Sequence, residues 1–401
     1  MTRPGTLTIL RMFLPLLGRV PAGHLWYLFR KMRNEKPHRF AGGVRINTFF
    51  PPWPSPAFER FCAAVVARRR VPYSVYLATS AECPFHCAHC SYGGRSRAAL
   101  PTERLLKLIA EIKALGTCTL GLTGGEPLLR ADLEELIAAA GTELATIVFT
   151  TGHGLDRRRA ETLRQAGTTC VTVGIESADP TAHDTVRGVS GSFAEARAAV
   201  AACREVGLYT AISTVGFREK IASGELERLY LLGTEWGVGE FRLLAPVATG
   251  GLAGCGAAML TDAELRALAD FHVQHNRHRH GPAVNSFAYL ESDALFGCGA
   301  GYHHLFIDAD GEVCPCDLSP MSFGNVAAEP LAAVWQRMAE FFPRPRCGCL
   351  MGQLAGKFPA GAALPLPRGQ SEAICPRCAT AEPLPEGYRR LLANGSKSQK
   401  Q

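Results

Sequence analysis

Short apolar, β-branched runs recur along the middle of the chain at Ser74–Thr79, Thr117–Thr123, Ala145–Thr151, Thr169–Ile175, Tyr209–Val215 and Glu240–Leu244. Between them, apolar residues fall at three- and four-residue spacing over Glu103–Leu115, Asp132–Ala140, Arg157–Gln165, Phe193–Val206 and Gly224–Trp236. A further helical stretch, Asp262–Arg277, follows. This alternation predicts strands and helices in succession. Strands joined by helices must run parallel with right-handed crossovers. Their runs are apolar throughout, as a sheet covered on both faces requires. The pattern fits either a doubly wound sheet or a barrel.

The flanks differ. To about Val71 the chain reads as helices and loops, with prolines at 51, 52, 54 and 56. Leu7, Leu10, Leu14 and Leu17 recur at helical spacing, although Pro15 should end or kink that helix. Leu25, Leu28, Phe29 and Met32 can share a second face, beside Arg30, Lys31 and Arg33. Residues 1–72 carry a net +11 against a chain total of +7, so the remainder is −4. An apolar face edged with Lys and Arg suits either packing on a core or an anionic membrane surface. Beyond about Phe296 the chain holds seven cysteines among many Gly and Pro residues. One hairpin is predicted there: His304–Asp308, a turn at Ala309–Gly311, and Glu312–Pro315. Such a segment is expected to bury little core and to need a metal staple.

Fifteen clustered cysteines in 401 residues read as metal ligands kept reduced, not as a disulfide scaffold. Arg11 and Pro15 interrupt the first apolar stretch, no cleavage site follows it, and no run is long enough to span a bilayer. A cytoplasmic protein is expected, with peripheral membrane contact as an option.

The strongest chemistry lies directly after the first strand, at Cys83-Pro-Phe-His-Cys87-Ala-His-Cys90. Three thiolates around one loop leave one iron of a four-iron cluster without a protein ligand. Structural zinc is the bland alternative, but it usually recruits paired cysteines from two places. At the end of the second strand stands Gly124-Gly125-Glu126-Pro127. Glycines there permit close backbone approach, and the proline fixes the strand exit.

Together these motifs resemble the signature of the radical S-adenosylmethionine (SAM) superfamily over roughly Tyr73 to Pro246. The resemblance implies a partial (β/α)6 barrel of the TIM type, with its site at the carboxyl ends of the strands. It implies a [4Fe–4S] cluster on Cys83, Cys87 and Cys90, with SAM beside Gly124, Gly125, Glu126 and Pro127. Further cofactor contacts are expected from the strand ends: Thr150, Thr151, Glu176, Ser177, Ser213 and Thr214. Arg187 is expected to pair with the SAM carboxylate. Two departures stand out. His89 occupies the position where relatives usually have an aromatic residue, and Thr151-Gly152 lacks the Asn common between them.

Cys298, Gly311 and Cys316 resemble the opening of a SPASM domain, which holds auxiliary iron–sulfur clusters. Phe323-Gly324-Asn325-Val326 and the helical Leu331–Met338 also look like that domain. Candidate ligands are Cys298, Cys316, Cys347, Cys349, Cys375 and Cys378, with Cys314 extra. Zinc on Cys347, Cys349, Cys375 and Cys378 is the competing assignment. Cys118 and Cys170, within strands, read as buried thiols, and Cys62, Cys203 and Cys255 are isolated. His272, His275, His278 and His280 read as a solvated face.

The fold expected is thus α/β: a partial (β/α)6 barrel with a basic helical N-terminal extension and a small Cys-rich C-terminal domain. Boundaries fall at 1–72, 73–290 and 291–392, with a disordered tail at 393–401. The resemblance implies reductive SAM cleavage and hydrogen abstraction from a substrate carbon. Maturation of a precursor peptide or protein leads, with a lipid or other small-molecule substrate second. A non-catalytic electron carrier is the reading from another class. A one-electron reductant of the flavodoxin or ferredoxin type is implied. No RNA-binding motif is present, so no nucleic-acid partner is expected.

Overall fold

The computed structural model describes residues 2–95, 98–354, 356–358, 363–377 and 382–393. The chain opens with helices α1 (Thr6–Phe13) and α2 (Ala22–Lys31). Pro15 ends α1 as expected, in a 3-10 turn at Leu14–Leu16. A hairpin of β1 (His38–Phe40) and β2 (Gly43–Arg45) follows, then α3 (Pro56–Ala67).

The six predicted runs become β3 (Ser74–Ser80), β4 (Thr119–Gly124), β5 (Ala145–Thr150), β6 (Cys170–Gly174), β7 (Thr210–Val215) and β8 (Glu240–Leu244). They lie side by side in chain order, all parallel. The intervening helices are α4 (Thr102–Ala114), α5 (Leu133–Ala140), α6 (Arg157–Ala166), α7 (Pro180–Arg187), α8 (Ser192–Glu205), α9 (Arg218–Ala222) and α10 (Glu225–Glu235). They cover one face through residues such as Leu105, Leu108, Ile109 and Ile112 of α4, all buried. Helix α11 (Asp262–Arg277) begins on a capping box formed by Thr261 and Glu264.

Three strands extend the sheet beyond the predicted six. β9 (Ala283–Ser286) adds in parallel to β8, ahead of the short helix α12 (Phe287–Leu290). On the opposite edge, β10 (His304–Ile307) pairs in parallel with β3 and antiparallel with β11 (Val313–Cys314). The order is β11-β10-β3-β4-β5-β6-β7-β8-β9, and the sheet does not close into a barrel. The C-terminal segment, including α13 (Leu331–Met338), therefore shares the main core: Val313, Met321, Phe323, Leu331, Val334, Met338 and Phe342 are buried within it. The expectation that this segment buries little core does not hold, because its hairpin completes the sheet instead of standing apart.

The other face of the sheet is the barrel interior. Tyr76 and Phe149 meet there, 5.0 Å between ring centroids. A Cβ at Gly121 would lie 2.5 Å from the Tyr76 ring and 2.8 Å from that of Phe149. Below them, the extension plugs the amino ends of the strands. Glu240 accepts from Thr48 N at 2.7 Å and Asn285 Nδ2 at 2.7 Å, and Arg242 bonds the Thr48 hydroxyl. An apolar cavity of about 110 Å³, walled by residues such as Leu16, Phe49 and Tyr73, lies at this lower end, away from the cysteine loop.

Helix α11 corrects one expectation. His272 and His275 are buried, not solvated: His272 Nε2 lies 3.2 Å from Glu35, and His275 Nε2 lies 2.8 Å from Glu227. The extension and α10 supply these carboxylates, which local periodicity does not reveal.

Candidate active site

Five strand ends meet around Cys83–Cys90. The loop leaves β3, and the end of β4 presses on it through two glycines. A Cβ at Gly124, where φ is +123°, would lie 2.1 Å from Ser80 O, and one at Gly125 would lie 2.1 Å from Glu82 O. That contact is sealed by Gly125 N donating to Ser80 O and Glu126 N to Glu82 O, each 2.7 Å. The far side of the loop is held by a pair the sequence reading missed, Gly250 and Gly251 after β8. Gly251 N donates to Cys90 O at 2.9 Å, and a Cβ at Gly250 would lie 2.1 Å from the same oxygen. Two glycine clamps thus fix the loop from opposite sides.

The Glu126 side chain turns inward. It accepts from Thr150 Oγ1 at 2.7 Å, Thr151 N at 2.8 Å and Thr151 Oγ1 at 2.6 Å. It ties the ends of β4 and β5 together and caps the turn through Leu128 N at 3.1 Å; Pro127 is buried beneath it.

After β6 stands Glu176, buried among the side chains of His89, Arg187 and Lys220. His89 Nε2 lies 3.2 Å away, Arg187 Nη2 3.4 Å and Lys220 Nζ 3.0 Å. Burial works to raise its pKa, but Lys220, His89 and Arg187 outweigh that and hold the carboxyl well below its ordinary range. Arg187 also donates from Nη1 to Cys87 Sγ at 3.3 Å, and its buried Nε has no partner. Gly174 gives Arg187 its space, since a Cβ there would lie 2.2 Å from Nη2. Lys220, on α9, is a second residue the sequence reading missed; its helix carries no motif. Ser177 is committed elsewhere, donating to Glu225 Oε1 at 2.7 Å, whereas Ser213 is half-buried on β7 in register with Gly174 and Arg242.

In the C-terminal segment, Cys298 and Cys349 share a hydrogen bond that holds the Cys298 thiol well above its usual pKa and lowers that of Cys349. Cys316 interacts electrostatically with both, and burial raises its pKa. Glu291 and Asp317 stand beside this trio. Burial pushes Glu291 well up, while His304, 3.3 Å from Asp317, offsets burial and lowers the latter. Cys347 and Cys375 instead donate to the carbonyls of Pro383 (3.5 Å) and Pro376 (3.9 Å). Cys314 is buried, with Arg95 donating to its sulfur at 3.4 Å. Cys378 lies outside the described residues. Among the described residues, no three His, Cys, Asp or Glu side chains form a group suited to a single metal ion.

A largely parallel sheet with a clamped three-cysteine loop at its strand ends is the arrangement that the sequence motifs imply for a SAM-dependent radical enzyme. Residues 77–225 match the radical SAM superfamily, and residues 298–349 match the SPASM iron–sulfur cluster-binding domain. The chain thus carries a radical SAM domain followed by a SPASM domain. It is similar to the AdoMet-dependent heme synthase of Methanosarcina barkeri, 26% identical over 70% of this chain and 87% of that protein. It is also similar to the PqqA peptide cyclase of Streptomyces rochei, 29% identical over 67% of this chain and 75% of that protein. The fold resembles Streptococcus suis SuiB bound to the precursor peptide SuiA, with a TM-score of 0.56 and 18% identity over 69% of each chain. It likewise resembles anSMEcpe with bound AdoMet, with a TM-score of 0.57 and 15% identity over 80% of this chain and 96% of that one.

These domains imply a [4Fe–4S] cluster with SAM and auxiliary iron–sulfur chemistry, and the residues fit. Burial pushes the Cys83 thiol up to about 11 and raises that of Cys90, so a cation is needed to hold them as thiolates. The unpartnered Arg187 Nε leaves a buried donor beside them. Gly125→Ala should drive a Cβ into Glu82 O, next to Cys83. We expect less iron in the first loop with the fold intact, read by iron and sulfide analysis beside circular dichroism.

Proposed function

We propose that the protein is a peptide-maturing radical SAM enzyme. When bound, the cluster and SAM supply the one-electron chemistry that removes a hydrogen atom from an unactivated substrate carbon. Cys83, Cys87 and Cys90 hold the cluster; the Gly124-Gly125-Glu126-Pro127 turn, Thr151, Glu176, Arg187 and Ser213 shape the SAM site. In this reading Glu126 and Ser177 act as positioning residues, since their side chains bond protein groups. Cys298, Cys316 and Cys349 are the core of the auxiliary site, with Cys347, Cys375 and Cys378 as further ligand candidates. The parts divide at about 72 and 290, with the SPASM part ending near 392; residues 394–401 lie outside the described residues.

The glycine-clamped thiol loop carries the chemistry, and the likeness to the PqqA peptide cyclase carries the peptide. The heme synthase likeness supports a second reading, a small-molecule substrate. A one-electron reductant of the flavodoxin or ferredoxin type completes the system. We place the protein in a reducing cytoplasm with peripheral membrane contact; no helix among the described residues is long and apolar enough to cross a membrane.

The test is anaerobic incubation of reconstituted protein with SAM, dithionite and a short peptide encoded beside its gene. A mass change in the peptide that requires both SAM and reductant supports the reading. Conversion of a tetrapyrrole or lipid with the peptide untouched would overturn its peptide half.

A further inference from the structure

Helix α1 and the turn after it are apolar on both sides. Ile9, Met12, Phe13, Leu16 and Val20 face a core cluster. The other set is left outside: Leu7 is 64% exposed, Leu10 48%, Leu14 59% and Leu17 65%. Their spacing of three, four and three residues puts them on one side of the helical run. Trp26 on α2 is 60% exposed. Of the seven large apolar side chains exposed among the described residues, five fall between Leu7 and Trp26. Packing on the barrel therefore accounts for only one face of the segment, and a concentrated apolar surface marks an interaction site.

Charge selects the occupant. The first 34 residues contain six Lys and Arg and no Asp or Glu. Arg11, Arg19, Arg30 and Arg33 are exposed beside the apolar positions. The first acidic residue, Glu35, is turned inward to Asn47 and His272. Two copies joined through this surface would oppose cation to cation with no counter-charge. An anionic bilayer meets both demands, with acyl chains for the leucines, phosphates for the arginines and an interfacial position for the tryptophan.

We propose that residues 7–33 dock the protein on the surface of an anionic lipid membrane, with Leu7, Leu10, Leu14, Leu17 and Trp26 inserted to the level of the headgroups. This rests on the peripheral localisation proposed above and is independent of the peptide reading.

The probe is vesicles of phosphatidylcholine with or without phosphatidylglycerol, mixed with the reconstituted full-length protein and sedimented. Binding should require phosphatidylglycerol and weaken as salt rises, because the Debye length shrinks. Leu10→Gln with Leu14→Gln should reduce partitioning on the order of a hundredfold. Both positions are exposed, so iron content and SAM cleavage should match the wild type. Arg11→Gln with Arg19→Gln should weaken binding and flatten its salt dependence. Unchanged sedimentation of the leucine variant overturns the proposal. So does a wild type that ignores anionic vesicles but self-associates in solution through the same leucines. Loss of SAM cleavage in every form would instead count against the radical SAM reading, leaving the vesicle result to stand alone.

Discussion

Replacing Cys83, Cys87 and Cys90 together by Ala is expected to abolish SAM cleavage while iron and sulfide persist in the C-terminal half. The loop carries all three of the thiols proposed as ligands, and the glycine clamps that fix it contribute backbone but no ligand. Without thiolates there is nothing to hold a cluster, so 5′-deoxyadenosine should fall to the level of a protein-free control. The remaining iron should answer to the trio brought together farther along. Adding Cys298→Ala, Cys316→Ala and Cys349→Ala should remove the iron–sulfur absorbance altogether. Cys375→Ala should leave most of it, because that thiol faces its own neighbour's carbonyl. The zinc alternative would draw Cys349 toward Cys347 and Cys375, whereas its free thiol interacts with that of Cys298. Zinc in place of iron in the first triple variant would reject the auxiliary-cluster assignment. Undiminished SAM cleavage there would reject the catalytic one.

What the sequence disclosed and what it hid follow one physical division. Local periodicity placed β8 at Glu240–Leu244 and α11 at Asp262–Arg277, both as found, and put the cysteine loop and the Gly-Gly turn on adjoining strand ends. It missed β9, four residues long and bearing Asn285 at an inward position, because its stability comes from pairing with β8. It described the Cys-rich hairpin correctly yet left it as a separate unit. Its pairing with β3 joins residues some 230 positions apart, and no local pattern records that. Gly250 and Gly251 read as loop residues until the Cys90 carbonyl is seen against them. Lys220 looks unremarkable, and His89 only a departure from the usual aromatic, until Glu176 is found between them. The solvated His face holds for the exposed His278 and His280 but fails at His272 and His275 for the same reason, since Glu35 and Glu227 arrive from distant elements. Residue types announced the chemistry, but the partners that tune it are long-range.

Glu176→Gln is expected to be the most damaging single substitution outside the cysteines. The carboxylate is 4% exposed, and Arg187 and Lys220 are 10% and 13% exposed. Gln keeps the shape but removes the charge, leaving two buried cations unopposed. Removing one partner of a buried pair typically costs about 3–5 kcal/mol, so the thermal midpoint should drop clearly. The pH dependence follows from the direction of the shift. Glu176 is held well below the ordinary carboxyl value of 4.5, so its contribution is complete above that value and fades as pH falls through the lower folded one. Wild type and variant should thus differ equally at pH 7 and pH 6, converging only in acid below about 4.5. A charge-balanced double variant, Glu176→Gln with Lys220→Met, should regain part of the loss, because the unopposed cation goes with its partner. The same cycle tests the link to the site. Arg187 is shared between Glu176 and Cys87, at 3.4 and 3.3 Å, so freeing it from the carboxylate should shift the electron paramagnetic resonance signal of the reduced cluster. A difference that vanishes at neutral pH, or a double variant no more stable than the single, would mean that Glu176 is not the charge on which this corner of the site is built.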